Sequence, residues 1–388
     1  MKKRWTLLLT ILALSSFITA QTESCLQNQS HPNYHSITQI SQTDTIVREY
    51  ILHIPENYDN TVASPLVINF HGFGDCAFDY AENIGNFYAF NALADSENFI
   101  VAYPQGAWRP EKESTYWQPG DNGLQDIYEN DVYFAEALIL DISSHYNIDL
   151  SQVFAAGYSN GGMMSYSIAC SRGDLLAAAG IVSGTMLSET CLQSEYTPII
   201  IFHGVYDEVL PYEGNMYYQS VAEVADFWLN HNNIPTSSLV STSLNGTNVL
   251  REEYSGGTEN TCLTVYSIYE EWDKEAGHDW FSDQIEGLHP NQILWNFFSD
   301  NCSLINHTEA LDKPEQSYTI QPNPFHHQMT IESEVLTNQY YQIYNLQGQE
   351  VLSGKINAQS LQIDLSSLSS QLYFLHIEGQ IYKLVKME

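Results

Sequence analysis

The sequence predicts an α/β domain, with helices on both faces of a mostly parallel sheet, followed by a small all-β module. Between residues 48 and 298, short apolar runs bounded by Gly, Pro or Asp alternate with amphipathic stretches, as this layered architecture requires. From about residue 318 the pattern changes to closely spaced strand-like runs without a cysteine. The length of 388 residues, 44% of them hydrophobic, is ample for one large core and an appendage.

The first segment, residues 1–20, is predicted to be a signal peptide. Lys2, Lys3 and Arg4 precede an apolar stretch, and the small residue Ala20 marks the expected cleavage site. The apolar stretch is too short for a typical membrane span. We therefore expect export, and a soluble mature protein without a stable membrane span.

The strands predicted next are near-continuous apolar runs, which suit strands covered on both faces of a sheet. They span residues 48–54, 65–70, 99–103, 153–158, 177–182 and 198–202. Helices are predicted over residues 131–146 and 219–231 and after Pro290, because apolar residues recur there at helical spacing. The last helix closes the domain near Cys302.

The remainder of the chain is predicted to be a linker and a second domain. Residues 303–317 are polar and show no periodicity, which is typical of a linker. Residues 318–388 are predicted to form a small antiparallel β-sandwich. Its strand-like runs lie at residues 341–346, 361–365, 373–377 and 381–385.

Acidic side chains dominate the charge of the chain. There are 47 Asp and Glu residues against 13 Lys and Arg, for a formal net charge of -34. Such a charge repels phosphate backbones and anionic lipid surfaces, so nucleic-acid binding is not expected. We interpret the acidity as the solvated surface of an exported protein.

Six cysteines form an even set in a chain that is expected to leave the reducing cytosol, which favours disulfides. No two of them have the C-x-x-C spacing of a metal or redox site. The connectivity stays open, and we hypothesise the pairs Cys170–Cys191 and Cys262–Cys302. For Cys76 and Cys170, a buried free thiol is the alternative.

The strongest chemical signal lies at residues 157–161, which read Gly-Tyr-Ser-Asn-Gly and fit the pattern G-x-S-x-G. The motif stands between a predicted strand and a helix-like stretch, and its glycines permit the tight turn that lifts a serine hydroxyl clear of a sheet. Ser159 is therefore the candidate nucleophile. A serine hydroxyl is a weak nucleophile at neutral pH, so it needs an imidazole base and a carboxylate that orients the imidazole.

Asp207 is the candidate acid. It follows the apolar run at residues 198–202, on the loop that leaves the carboxyl end of that strand. A turn or capping aspartate is the alternative interpretation. Asp226 lies within a predicted helix, and Asp273 precedes the candidate histidine too closely, so neither is preferred.

His278 is the candidate base. It follows the β-rich run at residues 263–269 and precedes the last predicted helix, which is where the order serine, acid, histidine places the base. His231 lies on a predicted helix and His289 begins the final one, which favours surface or capping roles for both.

The backbone N–H groups of Phe73 and Asn160 are the candidate oxyanion donors. Residues 70–75 read Phe-His-Gly-Phe-Gly-Asp after an apolar strand, a loop of the kind that contributes one donor, and Asn160 directly follows the nucleophile. An ordinary Gly-rich turn is the alternative, and His71 is expected to be structural.

Trp108, Trp117 and Trp280 are the candidate substrate-binding residues. The first two belong to a long aromatic loop and the third follows the candidate base, so we hypothesise stacking on a sugar or an aromatic acid. The alternative is that these rings fasten their loops onto the domain.

Together these segments resemble the LpqC-type branch of the α/β-hydrolases, which groups poly(3-hydroxybutyrate) depolymerase-like proteins with feruloyl esterases. The resemblance covers most of residues 51–230 and continues to the Gly-His at 277–278. It implies an α/β-hydrolase fold with Ser159, Asp207 and His278 as the catalytic triad. The chain departs from the branch at residues 230–232, Asn-His-Asn, where a cysteine is usual.

The C-terminal part resembles the type A sorting domain of type IX secretion. The resemblance rests on Gln-Pro-Asn-Pro-Phe at 321–325, Ile-Tyr-Asn-Leu-Gln-Gly-Gln at 343–349, Leu-Tyr-Phe-Leu at 372–375 and the lysines from 383 to 386. It implies export through a Gram-negative outer membrane by the type IX machinery, with the tail removed or used for surface attachment. A polymer-binding module is the alternative, but no row of tryptophans supports it.

The resulting hypothesis is a secreted or cell-surface serine hydrolase of carboxylic esters that works through an acyl-enzyme and requires no metal or organic cofactor. Feruloyl or acetyl esters on plant polysaccharide are favoured over poly(3-hydroxybutyrate). A serine peptidase and a non-catalytic binding protein on the same fold are the alternatives from other classes. The expected organisation is a signal peptide, a catalytic domain, a linker and a sorting domain, at residues 1–20, 21–302, 303–317 and 318–388.

Overall fold

The computed structural model divides the chain into two compact units, Met1–Ile305 and Asn306–Glu388, which we describe separately. The predicted signal peptide and the predicted linker lie outside the described residues. The structure describes residues 23–40, 45–82, 88–118, 131–187, 191, 195–244, 248–269, 277–281, 285, 288–300, 302, 318–333, 339–345, 350–356, 358–370, 372–377 and 380–387.

The first unit alternates strands with helices along the chain. Its helices are α1 (Glu23–Gln27), α2 (Ala77–Ala81), α3 (Asn91–Glu97), α4 (Asp131–His145), α5 (Asn160–Ser171), α6 (Val221–His231) and α7 (Pro290–Ser299). Its strands are β1 (Tyr34–Ile40), β2 (Thr45–His53), β3 (Ser64–Phe70), β4 (Ile100–Pro104), β5 (Ala107–Arg109), β6 (Ser114–Tyr116), β7 (Ile148–Tyr158), β8 (Ala178–Val182), β9 (Ile199–Gly204), β10 (Val240–Ser243), β11 (Val249–Tyr254) and β12 (Leu263–Ile268).

Within the described part of the chain, ten strands form one sheet in the order β1-β2-β4-β3-β7-β8-β9-β12-β11-β10. Strands β4, β3, β7, β8, β9 and β12 run parallel to one another, whereas β1, β2, β11 and β10 add antiparallel pairs at the two edges. The predicted mostly parallel sheet is confirmed. The sequence did not indicate β1 or β10, because their polar side chains give no apolar run.

Two apolar clusters cover the two faces of this sheet. Alternation along the strands divides the side chains between them: Ile199 and Ile201 belong to one cluster, whereas Ile200 and Phe202 belong to the other. Because both faces of the central strands are buried, their sequences are continuous apolar runs. The carboxyl ends of the parallel strands share one edge of the sheet, and the loops that follow them can therefore meet there.

The second unit consists of antiparallel strands with a core of its own. The strands are β13 (Tyr318–Gln321), β14 (Gln328–Ser333), β15 (Gln339–Tyr344), β16 (Glu350–Ile356), β17 (Ser360–Asp364), β18 (Leu372–Ile377) and β19 (Gln380–Val385). They form the sheets β13-β14-β17 and β16-β15-β18-β19. Met329, Ile343 and Leu375 are fully buried between them. The predicted small antiparallel β-domain is confirmed.

All six cysteines are paired, as Cys25–Cys76, Cys170–Cys191 and Cys262–Cys302. The two hypothesised pairs are confirmed, and the free-thiol alternative for Cys76 and Cys170 is wrong. In the part of the chain that the structure describes, no helix has the length and apolarity needed to cross a membrane.

Candidate active site

Ser159 stands on the sharp turn between β7 and α5. Its backbone has φ 52° and ψ -115°, a conformation that non-glycine residues rarely adopt. The turn brings the start of α5 so close to the end of β3 that a side chain at Gly161 would collide with the carbonyl oxygen of Phe70. Glycine is therefore required beside the serine, and the hydroxyl is left partly exposed at the helix N-terminus.

The loops that follow β9 and β12 bring an imidazole and a carboxylate to Ser159. His278 Nε2 lies 2.9 Å from Ser159 Oγ, and His278 Nδ1 lies 2.7 Å from Asp207 Oδ2. The two loops approach closely at Gly277, which has φ 91° and leaves room for the backbone of Asp207. The three residues that the sequence selected, far apart in the chain, thus form one hydrogen-bonded series.

Asp207 is held as a carboxylate by donors on both of its oxygens. Oδ1 accepts the N–H groups of Val209 and Leu210, each at 2.8 Å. Burial by itself raises the pKa of Asp207, but hydrogen bonds from His203 and His278 outweigh it and hold the pKa at about 2. The group is therefore ionised at neutral pH and can orient the imidazole of His278.

His203 is a contact of Asp207 that the sequence analysis did not assign. Its Nε2 lies 2.8 Å from the carbonyl oxygen of Leu210 and 3.3 Å from Asp207 Oδ2. The His203 ring is buried, and His203 is the residue before the last one of β9. Its spacing of four residues from Asp207, across the end of the strand, is the sequence signal that could have identified it.

The loop after β3 leaves the N–H group of Phe73 available. The neighbouring groups are committed: Gly72 N–H donates to Tyr80 Oη at 3.0 Å, and Gly74 N–H donates to the carbonyl oxygen of Thr115 at 2.7 Å. Among the described residues, no acceptor is found for the N–H group of Phe73 or of Asn160. Both groups therefore remain candidates for binding an oxyanion beside Ser159.

The imidazole of His71, at the start of this loop, makes a hydrogen bond in the interior of the domain. It is fully buried, and its Nε2 accepts the N–H of Gly106 at 2.9 Å. Burial lowers the pKa of His71 to about 4, so the ring is neutral at neutral pH and can accept this hydrogen bond.

Trp117 and Trp280 are buried, which favours the alternative interpretation that these rings anchor their loops to the domain. Trp117 is 1% exposed, and its indole N–H donates to the carbonyl oxygen of His71 at 2.8 Å. Trp280 is 0% exposed, and its indole N–H donates to Asn291 Oδ1 at 2.7 Å. Both rings anchor their loops to the domain, because each indole N–H donates to an acceptor in the interior.

Trp108 differs from these two tryptophans in being partly exposed. It lines a pocket of about 260 Å³ together with Arg48, Glu49 and Gln105. Its contact with substrate remains a prediction.

The hairpin that carries Trp108, residues 107–116, is fixed by contacts that the sequence did not reveal. The side chain of Asn160 accepts the N–H of Trp117 at 2.7 Å and donates to its carbonyl oxygen at 3.1 Å. On the other side, the buried carboxylate of Asp131 pairs with Arg48 at 2.6 Å and with Arg109 at 3.2 Å. The hairpin is thereby tied both to the residue after Ser159 and to α4.

Comparison with known proteins gives a match within each unit. Residues 58–233 match the family model described as phospholipase/carboxylesterase, and residues 319–387 match the secretion system C-terminal sorting domain. The predicted α/β-hydrolase fold and the predicted sorting domain are both confirmed.

Similar proteins include a probable feruloyl esterase C of Aspergillus niger, 26% identical over 293 residues, with 75% of this chain and 96% of the relative covered. The feruloyl esterase C of Emericella nidulans is 24% identical over 300 residues, with 76% and 98% covered. Among solved structures, an acetyl xylan esterase from Aspergillus awamori matches with a TM-score of 0.48 at 15% identity, with 68% and 98% covered.

Proposed function

We propose that this secreted carboxylic ester hydrolase cleaves feruloyl or acetyl esters of plant polysaccharide through an acyl-enzyme on Ser159. One observation carries the catalytic part of the proposal: the hydrogen-bonded series from Ser159 Oγ through His278 to Asp207 Oδ2. A base within hydrogen-bond reach of a serine, itself oriented by a carboxylate, is the arrangement that activates a hydroxyl at neutral pH.

In the first half of the reaction, Ser159 Oγ attacks the carbonyl carbon of the ester and its proton passes to His278 Nε2. The carbonyl oxygen becomes an oxyanion that accepts hydrogen bonds from the N–H groups of Phe73 and Asn160. The carbon–oxygen bond to the alcohol then breaks, and His278 gives the proton to the departing alkoxy oxygen. The acyl group remains on Ser159.

In the second half, a water molecule attacks the acyl-enzyme while His278 Nε2 accepts a proton from it. The tetrahedral intermediate collapses, the carboxylic acid leaves, and the proton returns to Ser159 Oγ. Throughout, Asp207 accepts the hydrogen bond from His278 Nδ1 and stabilises the imidazolium that forms in each half.

The names of similar proteins support the choice of substrate. The relative in Emericella nidulans is named feruloyl esterase C and that in Aspergillus niger probable feruloyl esterase C, and both are covered over nearly their whole length. We therefore propose that feruloyl esters are better substrates than acetyl esters, and that both are better substrates than a polyester.

For export, we propose that residues 1–20 are removed as a signal peptide and that residues 303–317 link the catalytic domain to the sorting domain. The sorting domain supports delivery through the type IX machinery to the cell surface or the medium. Whether the protein is found in the medium or on the cell is a direct readout of the fate of the tail.

The test of the substrate is to measure initial rates on methyl ferulate, acetylated xylan and polyhydroxybutyrate film side by side with the purified protein. We expect turnover of the first two and little release of soluble product from the film. A Ser159→Ala variant serves as the control for background hydrolysis. Faster hydrolysis of the film than of both other esters would contradict the proposed substrate class while leaving the ester chemistry intact.

A further inference from the structure

An aromatic pair, one ring exposed and the other partly buried, includes Phe73, whose N–H group is a candidate oxyanion donor. Phe73 is 52% exposed, although an apolar ring of this size is favoured inside a protein. Its ring stacks on that of Tyr116, with the ring centroids 5.3 Å apart and an interplanar angle of 25°. We call these two side chains the aromatic step.

The aromatic step is held in place by contacts of Tyr116 and of the residue that follows it. Tyr116 Oη donates to Glu111 Oε1 at 2.7 Å, and the guanidinium of Arg109 lies 5.2 Å from the centre of the Tyr116 ring. The next residue along the chain, Trp117, is clamped by the side chain of Asn160. These contacts anchor the hairpin to Asn160, whose backbone N–H is the second candidate oxyanion donor.

The position of Phe73 relative to the reacting carbonyl follows from its backbone. The N–H group of Phe73 is a candidate donor to the oxyanion. Only the Cα atom separates this nitrogen from Cβ, so the side chain of Phe73 begins close to the carbonyl oxygen of the substrate. A ring in this position can contact what is attached to the carbonyl carbon. Two substituents are attached there besides oxygen and serine: the leaving alcohol and the acyl group.

The order of the strands distinguishes these two substituents. His278 must protonate the departing alkoxy oxygen, so the alcohol lies toward the loops that follow β9 and β12. Strands β3 and β4 lie on the opposite side of β7, and the loops that follow them carry Phe73 and Tyr116. The alcohol is therefore directed away from the aromatic step, and of the two substituents the acyl group is the one left to contact it.

We propose that Phe73 and Tyr116 form a subsite that binds the aromatic ring of the substrate's acyl group by stacking. This inference rests on the proposed function, and it names the residues that select a planar phenylpropenoyl ester over a small acetyl ester. Aromatic rings prefer offset-stacked or edge-to-face contacts with each other, and Phe73 offers an open ring for such a contact.

The test compares two esters with the same leaving group, para-nitrophenyl ferulate and para-nitrophenyl acetate, so that only the acyl group differs. We expect Phe73→Leu to lower the ratio of kcat/KM for ferulate to kcat/KM for acetate by about tenfold, and Tyr116→Leu to lower it by a smaller factor. Phe73→Tyr, which keeps the ring, should preserve the ratio.

Tyr217→Leu is the matched control, because Tyr217 is also an exposed aromatic residue, 76% exposed, in the loop after β9. It should leave the ratio unchanged. An unchanged ratio in Phe73→Leu, or an equal fall in the control, would overturn the proposed subsite. A wild-type protein that cleaves acetate but no ferulate would instead contradict the proposed preference for feruloyl esters, so the two failures are distinguishable.

Discussion

At the scale of single residues, the candidate site depends on how Asp207 remains ionised in a buried position. Burial favours the neutral acid, yet two backbone N–H groups and two imidazoles surround the carboxylate and reverse the preference. The consequence for catalysis is that the negative charge is available to stabilise the imidazolium of His278. His203 contributes to this environment without reaching Ser159, and we regard it as a positioning residue.

The first prediction concerns Ser159 and His278, which act together in catalysis. Ser159→Ala should lower kcat for para-nitrophenyl acetate by on the order of a thousandfold or more, because only binding and the oxyanion donors then remain. His278→Ala should have nearly the same effect, and the double variant should be scarcely slower than either single one. Steady-state rates of the folded variants check this. A Ser159→Ala protein that keeps a tenth of the wild-type rate would disprove the mechanism.

The second prediction concerns Asp75, which lies in the loop that carries Phe73. Burial, helped by the nearby charge of Asp79, raises the pKa of Asp75 to about 6. Because the folded-state pKa lies above that of the unfolded chain, the folded protein binds this proton more tightly. The contribution of Asp75 to stability therefore becomes more favourable as the pH falls from about 8 to about 5.

Asp75→Asn removes this titration and keeps an acceptor for the hydroxyl of Tyr80. We expect the variant to gain about 1 kcal/mol at about pH 8 relative to about pH 5, after allowing for partial solvent exposure. The difference in Tm between the two pH values should change by about 2 °C compared with wild type. Thermal unfolding at both pH values measures it, and parallel curves for the two proteins would contradict the assignment.

At the scale of elements, two of the three disulfides lie away from the candidate site, and the third lies beside the loop that carries Phe73. Cys170–Cys191 joins the C-terminal end of α5 to the segment between β8 and β9. Cys262–Cys302 joins the residue before β12 to the segment after α7. Both lie at the edge away from Ser159, because α5 runs away from the site and β12 runs toward it. Cys25–Cys76 instead attaches α1 to the loop that carries Phe73.

The third prediction follows from this placement. The Cys25→Ser/Cys76→Ser double variant should lower kcat/KM on para-nitrophenyl acetate, because the loop with the candidate oxyanion donor loses its anchor. The Cys262→Ser/Cys302→Ser variant is the control, because it opens a loop of comparable length, 40 residues against 51. Each variant should lose about 4 kcal/mol of stability.

Activity measured well below both unfolding temperatures separates the two effects. We expect the first pair to lower activity and the control pair to leave it near wild type. Equal activity of the two variants would show that the anchor is structural only.

At the scale of the whole molecule, each unit has a hydrophobic core of its own. The sheet of the first unit is covered by two clusters, and Phe325, Ile343 and Leu375 belong to a third cluster that contains only residues of the second unit. A unit with its own core can fold without its neighbour. The candidate site is built entirely from residues of the first unit, so the second unit is not needed for its geometry.

The fourth prediction is that removal of residues 318–388 leaves specific activity on a small soluble ester nearly unchanged but retains the protein inside the cell. The reason is that the candidate site lies in the first unit, whereas the sorting domain lies in the second. Fractionation of cells and medium, with activity measured in each, checks both parts. Secretion of the truncated protein at wild-type level would disprove the sorting role, and loss of activity in a folded truncated protein would disprove the independence.

The sequence alone determined the parts of this protein that depend on neighbours in the chain. A serine between glycines, preceded by an apolar strand and followed by a helix, encodes its own turn, because strand, turn and helix are local structures. The order of Ser159, Asp207 and His278 then followed from the strands that precede each loop. The change of pattern after residue 318 likewise separated the second unit.

The tertiary structure alone decided which side chains face the cleft. Trp117 and Trp280 have sequence surroundings that suit a binding loop, yet each is buried, because its indole N–H finds an acceptor that lies far away in sequence or on another element. Conversely, Phe73 is left exposed beside Tyr116, a pairing set by a hairpin more than thirty residues later in the chain. Burial is a property of packing between distant segments, and a local pattern therefore predicts where a residue stands but not which way its side chain points.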